Sequence, residues 1–242
     1  MFTVFRKSAR FYDAIYAFKD YAKEAQQIHA LIQEHKRSAG RALLDVACGT
    51  GQHIAHFRHR YDAEGLDLDP ALLAIARKRN PGVVFHQADM MDFDLGRRFD
   101  VVTCLFSAIG YAQTVPRLRQ TLHDLARHAH PGGLVIVEPW ITPENFRPDY
   151  VHGRLFVDKP DLKIARMNVS RVVDRVSVLD FHYLVATPEG VEHFVERHEL
   201  GLFAREEYED AFTAAGLTVS FDPEGLTGRG LWVGMRPPAQ AR

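Results

Sequence analysis

Cysteine is nearly absent from this chain: two in 242 residues, Cys48 and Cys104, too few for the disulfide framework that staples small secreted domains. Both sit in or beside apolar segments, which suits a reducing interior, and a cytoplasmic location is expected. No apolar run approaches the roughly 18 residues of a membrane helix, and no secretory signal precedes Arg6, Lys7 and Arg10. An excess of one charge is missing as well. With 30 Lys and Arg against 31 Asp and Glu, the net charge of −1 lacks the basic footprint of a nucleic-acid binder. Repeats and low-complexity tracts are absent apart from a polar tail, Pro237 to Arg242, expected to fray. What remains, at 46% hydrophobic and 25% charged, is the composition of one large globular core.

One more absence is informative. Leu43 to Val46 is an apolar run interrupted only by Asp45, leading through Ala47 and Cys48 into Gly49-Thr50-Gly51. The pattern predicts a buried parallel strand that breaks into a tight turn and feeds a helix, the place where a doubly wound sheet opens its ligand crevice. A dinucleotide fingerprint would carry a third glycine at position 54, so that helix and strand could close over a pyrophosphate. Ile54 stands there instead. Pyrophosphate is disfavoured at this turn, and a nicotinamide dehydrogenase with it.

Acidic residues then recur at the ends of short apolar segments. Ala63 to Asp67 predicts a second strand, and Asp67 at its end is placed to accept both hydroxyls of a ribose. Asp69 followed by Pro70 reads as a helix N-cap. Val83 to Met90 predicts a third strand carrying Asp89, Phe99 to Phe106 a fourth, and Gly133 to Pro139 a fifth. Strands alternating with helices give an α/β, Rossmann-like fold. A last helix, Arg205 to Ala215 stopped by Gly216, and the segments Leu217–Phe221 and Gly228–Gly234 complete a seven-stranded mixed sheet with helices on both faces.

Between the fifth strand and the last helix lies far more chain than one connection needs. Residues 163–173, 176–185 and 192–203 alternate with rough period two, separated by Asp174-Arg175 and by Thr187-Pro188-Glu189-Gly190. They predict antiparallel hairpins with one buried face. Three regions are expected: 1–140, a lid helix with the crevice half of the core; 141–204, an inserted antiparallel sheet roofing the crevice; and 205–242, the closing helix and strands.

Asp45-Val-Ala-Cys-Gly-Thr-Gly51 resembles the first motif of class I S-adenosylmethionine (SAM) methyltransferases, in which the acidic residue and glycine turn hold the methionine end of a cationic cofactor. Asp89-Met-Met-Asp-Phe93, Cys104-Leu-Phe-Ser-Ala-Ile-Gly110, Val137-Glu-Pro-Trp140, Ala211-Phe-Thr-Ala-Ala-Gly216 and Gly228-Arg-Gly-Leu-Trp-Val-Gly234 extend the likeness over nearly the whole chain. Together they resemble the amino-sugar N,N-dimethyltransferases, which act on dTDP-linked 3-amino-deoxyhexoses in macrolide antibiotic biosynthesis. The resemblance implies a class I methyltransferase fold, SAM as cofactor and a small-molecule acceptor, in a monomer or homodimer. For the cofactor it implies Tyr21, Asp45, Ala47, Gly49, Gly51, Asp67, Leu68, Asp89, Met90 and Leu105, with Asp89 accepting from the adenine amino group. For the acceptor it implies Tyr12, Trp140, Arg166, Asn168, Ser170, His182 and Arg229, the last meeting the nucleotide pyrophosphate bidentately.

Two positions depart from the family pattern: Tyr111 stands where it has a histidine, and Val4 near where it has a tyrosine. Tyr111, an ordinary phenol and a poor base at neutral pH, is expected to orient the acceptor through a hydrogen bond. His182 is either a base or an outward-facing strand histidine. Another N- or O-acceptor, or a silent SAM-binding subunit, stays open beside the sugar amine. Several residues read equally well as structural: Trp140 as packing under the insertion, Arg229 as a salt bridge, Tyr16 as core. His53, His56 and His59 rotate off a common helix face with no acidic ligand placed nearby, and no metal is expected. His123, His128 and His130 flank a helix expected to end at 131–133, where they would complement its dipole, and Glu206-Glu207 and Glu209-Asp210 read as a solvated helix start.

Overall fold

The computed structural model describes residues 7–238; Val4 and the tail beyond Pro238 lie outside them. A 3-10 turn, Ser8–Phe11, leads into α1 (Tyr12–Ile15) and α2 (Tyr21–His35). The core follows as β1 (Ala42–Val46), α3 (Gln52–Phe57), β2 (Asp62–Asp67), α4 (Pro70–Arg79), β3 (Phe85–Gln87), β4 (Phe99–Cys104), α5 (Val115–Arg127) and β5 (Ala129–Val137). The insertion is β6 (Val151–Lys159), β7 (Leu162–Val173), β8 (Val176–Thr187) and β9 (Gly190–Gly201), and the chain closes with α6 (Arg205–Ala214), β10 (Thr218–Asp222) and β11 (Leu231–Met235).

The main sheet has seven strands in the order β10-β11-β5-β4-β1-β2-β3. β1 to β5 run parallel, while β11 lies antiparallel between β5 and β10. This is the class I methyltransferase arrangement. All six β4 residues are buried, as both-face coverage by helices requires. Asp69 caps α4 as expected, accepting from Ala71 N (2.8 Å) and Leu72 N (3.3 Å) ahead of Pro70.

Three local readings are corrected. β5 begins at Ala129, so Pro131-Gly132-Gly133 lies inside a strand, and α5 has already stopped at Arg127. His128 does finish that helix, but as a buried neutral ring: Nδ1 meets Asp124 O at 2.7 Å and Nε2 accepts from Leu95 N at 3.1 Å, while burial lowers its pKa. The third strand shrinks to three residues.

The insertion is a separate four-stranded antiparallel sheet, and its edge strand β6 carried no sequence signal because most of its residues are exposed. β7 and β8 join through Asp174 (φ 55°) and Arg175 (φ 100°), both left-handed as a tight two-residue hairpin demands. Arg175 is tied down beyond its own turn. Its guanidinium meets both oxygens of Glu207 (2.8 and 2.7 Å), and Glu207 also accepts from Ala204 N (2.8 Å) at the start of α6. Glu207 therefore pins the inserted sheet to the core rather than joining a solvated face. No described helix is long and apolar enough to cross a membrane.

Candidate active site

The carboxyl ends of β1, β2 and β4 converge on the glycine turn. Gly49 (φ 57°) and Gly51 (φ 70°) are left-handed there, and a Cβ on Gly51 would stand 2.7 Å from Asn80 Nδ2, so that position has no room for a side chain. Ala47 (φ 56°) shares that conformation, and with Tyr12, Tyr21, Asp45, His53 and Leu105 it lines a narrow gap. Asp45 is buried. Its Oδ1 accepts from Thr103 Oγ1 at 2.7 Å, whereas Oδ2 has no hydrogen-bond partner, and burial raises its pKa. A buried carboxylate oxygen left without a donor is costly and suits a cationic ligand.

Asp67 is held from both sides by backbone: Oδ2 accepts from Gly49 N and Oδ1 from Asp69 N, each at 2.8 Å. Each oxygen keeps a second lone pair. Burial pushes its pKa up to about 6, against the pull of those two bonds. Leu68 follows β2, and Asp89 and Met90 follow the adjacent β3; Asp89 Oδ1 accepts from Met91 N at 3.0 Å and Met90 packs into the core.

The N-terminal segment lies across this cleft. Tyr12, expected at the acceptor, stands against Gly49 instead, 3.8 Å from the position of a Cβ there. Asp13 accepts from Thr50 Oγ1 (2.7 Å) and Gln52 Nε2 (3.1 Å) and pairs with Arg79. Tyr21 packs edge-on to His53, whose Nε2 is 2.8 Å from Glu24 Oε2; Lys19 reaches Glu24 Oε1 at 2.7 Å and lies 4.0 Å over the Phe106 ring. Burial alone would raise Glu24, but the bonds from His53 and Lys19 outweigh it and hold the carboxyl below its usual range. The gap left beneath is about 20 Å³.

A second cavity, of about 700 Å³, opens between α1, the loop after β5 and the inner face of the inserted sheet, with Trp140, Phe146, His152, Arg166, Asn168 and Arg229 among its walls. Arg166 Nη1 donates to Tyr16 Oη at 3.1 Å and its guanidinium lies 4.3 Å over the Phe181 ring. Asn168 Nδ2 is buried without a hydrogen-bond partner. Ser170, two residues on, is withdrawn from the cavity and meets His152 Nε2 at 2.8 Å. Trp140 both walls the cavity and packs under the roof, donating from Nε1 to Ser177 Oγ at 2.9 Å. Arg229 lies 5.1 Å over that indole and donates from Nη1 to Ser107 Oγ at 2.9 Å. Phe106 (φ 53°) and Ser107 (φ 62°) are consecutive left-handed residues without being glycine, at about 1–2 kcal/mol each.

His182 faces away from all of this. Towards the end of β8, Tyr183 and Val185 are buried while His182 and Leu184 are exposed, so His182 emerges on the outer face, 3.3 Å from His193. On the neighbouring strand β9 it is His198 that turns inward, with Nδ1 2.7 Å from Tyr111 Oη. Burial drives the Tyr111 phenol well above 10 and the His198 imidazole down to about 3, leaving the pair neutral. Strand parity was the only available signal for His198. Tyr16, read as core, stands at the junction of the cavities: it carries Arg166 and packs edge-on to Phe106 at 5.1 Å.

Residues 43–133 match the family described as methyltransferase domain. A dTDP-3-amino-3,6-dideoxy-alpha-D-glucopyranose N,N-dimethyltransferase from Streptomyces fradiae is 46% identical over 231 residues, 94% of this chain and 90% of that protein. The crystal structure of Streptomyces venezuelae DesVI superposes with a TM-score of 0.89 at 42% identity, covering 97% of this chain and 99% of the other. SAM-bound CalS10, an amino pentose methyltransferase of calicheamicin biosynthesis from Micromonospora echinaspora, gives 0.84 at 39%, covering 98% and 99%.

Proposed function

This chain belongs to the dTDP-amino-sugar N,N-dimethyltransferase family, and we propose that it transfers two methyl groups in succession from SAM to the amine of a deoxyhexose carried on dTDP. The observation that carries the acceptor is the large cavity adjoining the acidic cleft, with Arg166 and Arg229 among the three arginines in its walls. SAM suits the cleft. The unpartnered Asp45 Oδ2 matches its cationic methionine end, the remaining lone pairs of Asp67 match the ribose hydroxyls, and Asp89 is the acceptor for the adenine amino group. Tyr21, Ala47, Leu68, Met90 and Leu105 wall the cofactor, and Gly49 and Gly51 let the backbone close on it.

When bound, SAM supplies a methyl carbon on a sulfonium that leaves as a neutral thioether and asks no acid of the protein. The chain's own work is alignment: the lone pair of the neutral sugar amine must point at that carbon, in line with the C–S bond that breaks. Arg229 grips the diphosphate, Arg166 and Asn168 Nδ2 hold oxygens of the sugar or nucleotide, and Trp140 closes the wall. Tyr111, steadied by His198, orients an N–H of the amine. Its phenol keeps its own proton at neutral pH, so the proton shed by the methylated ammonium passes to water before the second transfer.

The deciding experiment compares a dTDP-linked amino sugar with the free amino sugar, following products by mass. The conjugate is expected to gain two methyl groups at a far higher kcat/KM. Equal rates on both would remove the diphosphate from recognition and leave a smaller acceptor. SAM binding without turnover on either would make the chain a silent SAM-binding subunit.

A further inference from the structure

The first residue after β5 is Glu138, fully buried and paired with no Lys, Arg or His among the described residues. Its two oxygens serve two different loops. Oε2 accepts from Phe106 N at 2.6 Å and Oε1 from Thr227 Oγ1 at 2.6 Å. A carboxylate taken wholly out of water has to be repaid by hydrogen bonds, and here both bonds go to segments that have little stiffness of their own. Phe106 begins the pair of left-handed non-glycine residues, a conformation that lasts only where the surroundings hold it. Thr227 precedes Gly228-Arg229-Gly230, in which both glycines have positive φ (76° and 85°), so the backbone around Arg229 is free to swivel unless it is anchored next door.

What hangs on each arm differs. Phe106 lines the cofactor cleft and carries its ring to Tyr16 and Lys19, while Ser107, the next residue, receives Arg229 Nη1. The Thr227 arm carries Arg229 itself into the acceptor cavity. We infer that Glu138 is a positioning residue for the methyl transfer: by clamping the Phe106 loop and the Thr227 loop to one point, it sets the distance between the arginine that grips the acceptor and the cleft that holds the methyl donor. This rests on the reading of Arg229 as the diphosphate contact.

Thr227→Val cuts one arm and leaves the other. It is expected to raise the acceptor KM about tenfold, the effect of one lost charge-assisted hydrogen bond, with S-adenosylhomocysteine affinity by calorimetry unchanged, and Thr227→Ser should restore the wild-type KM. Glu138→Ala cuts both arms and should weaken S-adenosylhomocysteine binding as well. Because Thr227 acts through Arg229, Thr227→Val should add nothing once Arg229→Ala is present. A tenfold KM rise from Thr227→Val on top of Arg229→Ala, or an unchanged KM from Thr227→Val alone, overturns the inference even where Glu138→Ala does not fold. An unchanged acceptor KM in Arg229→Ala by itself would remove the diphosphate reading, and the inference with it.

Discussion

The two cavities meet at Tyr16 and Phe106 and are built in opposite ways. The cofactor cleft is acidic and sits on the ends of parallel strands, where backbone amides fix two of its three carboxylates: Asp67 hangs between two N–H donors contributed by Gly49 and Asp69, and Asp89 accepts from Met91 N, while Asp45 leans on the Thr103 hydroxyl. The acceptor cavity is cationic and roofed by antiparallel strands with one exposed face, where side chains fix side chains: Arg166 on Tyr16 and Phe181, Arg229 on Ser107 and Trp140. Groups held by backbone come with the fold, whereas groups held by other side chains change with a few substitutions. Cofactor choice should therefore be rigid and acceptor choice adjustable.

The contrast breaks first at Asp67. Asp67→Ala should cost SAM about 3 kcal/mol, on the order of a hundredfold in affinity, for lost charge-assisted bonds, while the acceptor KM at saturating SAM stays put; a matching loss at both sites would show that the cavities are one unit. Arg229→Ala should do the converse, raising the acceptor KM about thirtyfold, near 2 kcal/mol, with SAM affinity intact in calorimetry. Arg229→Lys should recover only part, because the bidentate fork is gone.

Acidity sharpens the same contrast. On the proposed reading the ionised form of Asp67 accepts the ribose hydroxyls, and burial raises its pKa to about 6, so SAM affinity should be level above that pH and fall by up to about tenfold per unit below it. Asp67→Asn should bind weakly with no such slope. In the free protein the sign reverses: a carboxyl whose folded pKa exceeds its unfolded value of about 3.9 contributes stability below that value, and the contribution is lost as pH rises through 6, which thermal melts of wild type and Asp67→Asn would show. The smallest effect is expected at Tyr111. Tyr111→Phe should lower kcat about tenfold or less, one positioned hydrogen bond, with the pH profile unchanged. Loss of all turnover together with an alkaline limb would make Tyr111 a true base.

How much of this was legible depended on what holds each element. The strand-turn-helix at residues 42–57 and the Asp69-Pro70 cap were readable because an apolar run, two glycines and a capping pair act locally. The closing strands were readable in number and direction. The insertion was legible as antiparallel hairpins but not residue by residue. A slip of one position exchanges the faces of a strand, and that parity separates the outward His182 from the inward His198. β6 was invisible because an edge strand with exposed residues on both faces shows no period. Tyr16, Glu138 and Lys19 owe their places to partners far away in the chain, which no local pattern records.

α1 belongs to both cavities, and this has a consequence for how two methyl groups are delivered. Tyr12 covers the gap of about 20 Å³ at the glycine turn, while Ala14, Ile15 and, just beyond the helix, Phe18 wall the acceptor cavity. That gap is the Asp45 end of the cleft and is too narrow for a ligand group, so we propose that exchanging spent cofactor for fresh involves Asp13 letting go of Thr50, Gln52 and Arg79 and α1 lifting. Lifting α1 strips a wall from the half-methylated sugar at the moment the second donor arrives. Methylation should therefore be distributive: the monomethylamino sugar escapes, accumulates in solution and returns as a competing substrate. A chase of unlabelled monomethyl sugar should dilute label out of the dimethylated product, and product that ignored the chase would mean that the acceptor stays enclosed while the cofactor is exchanged.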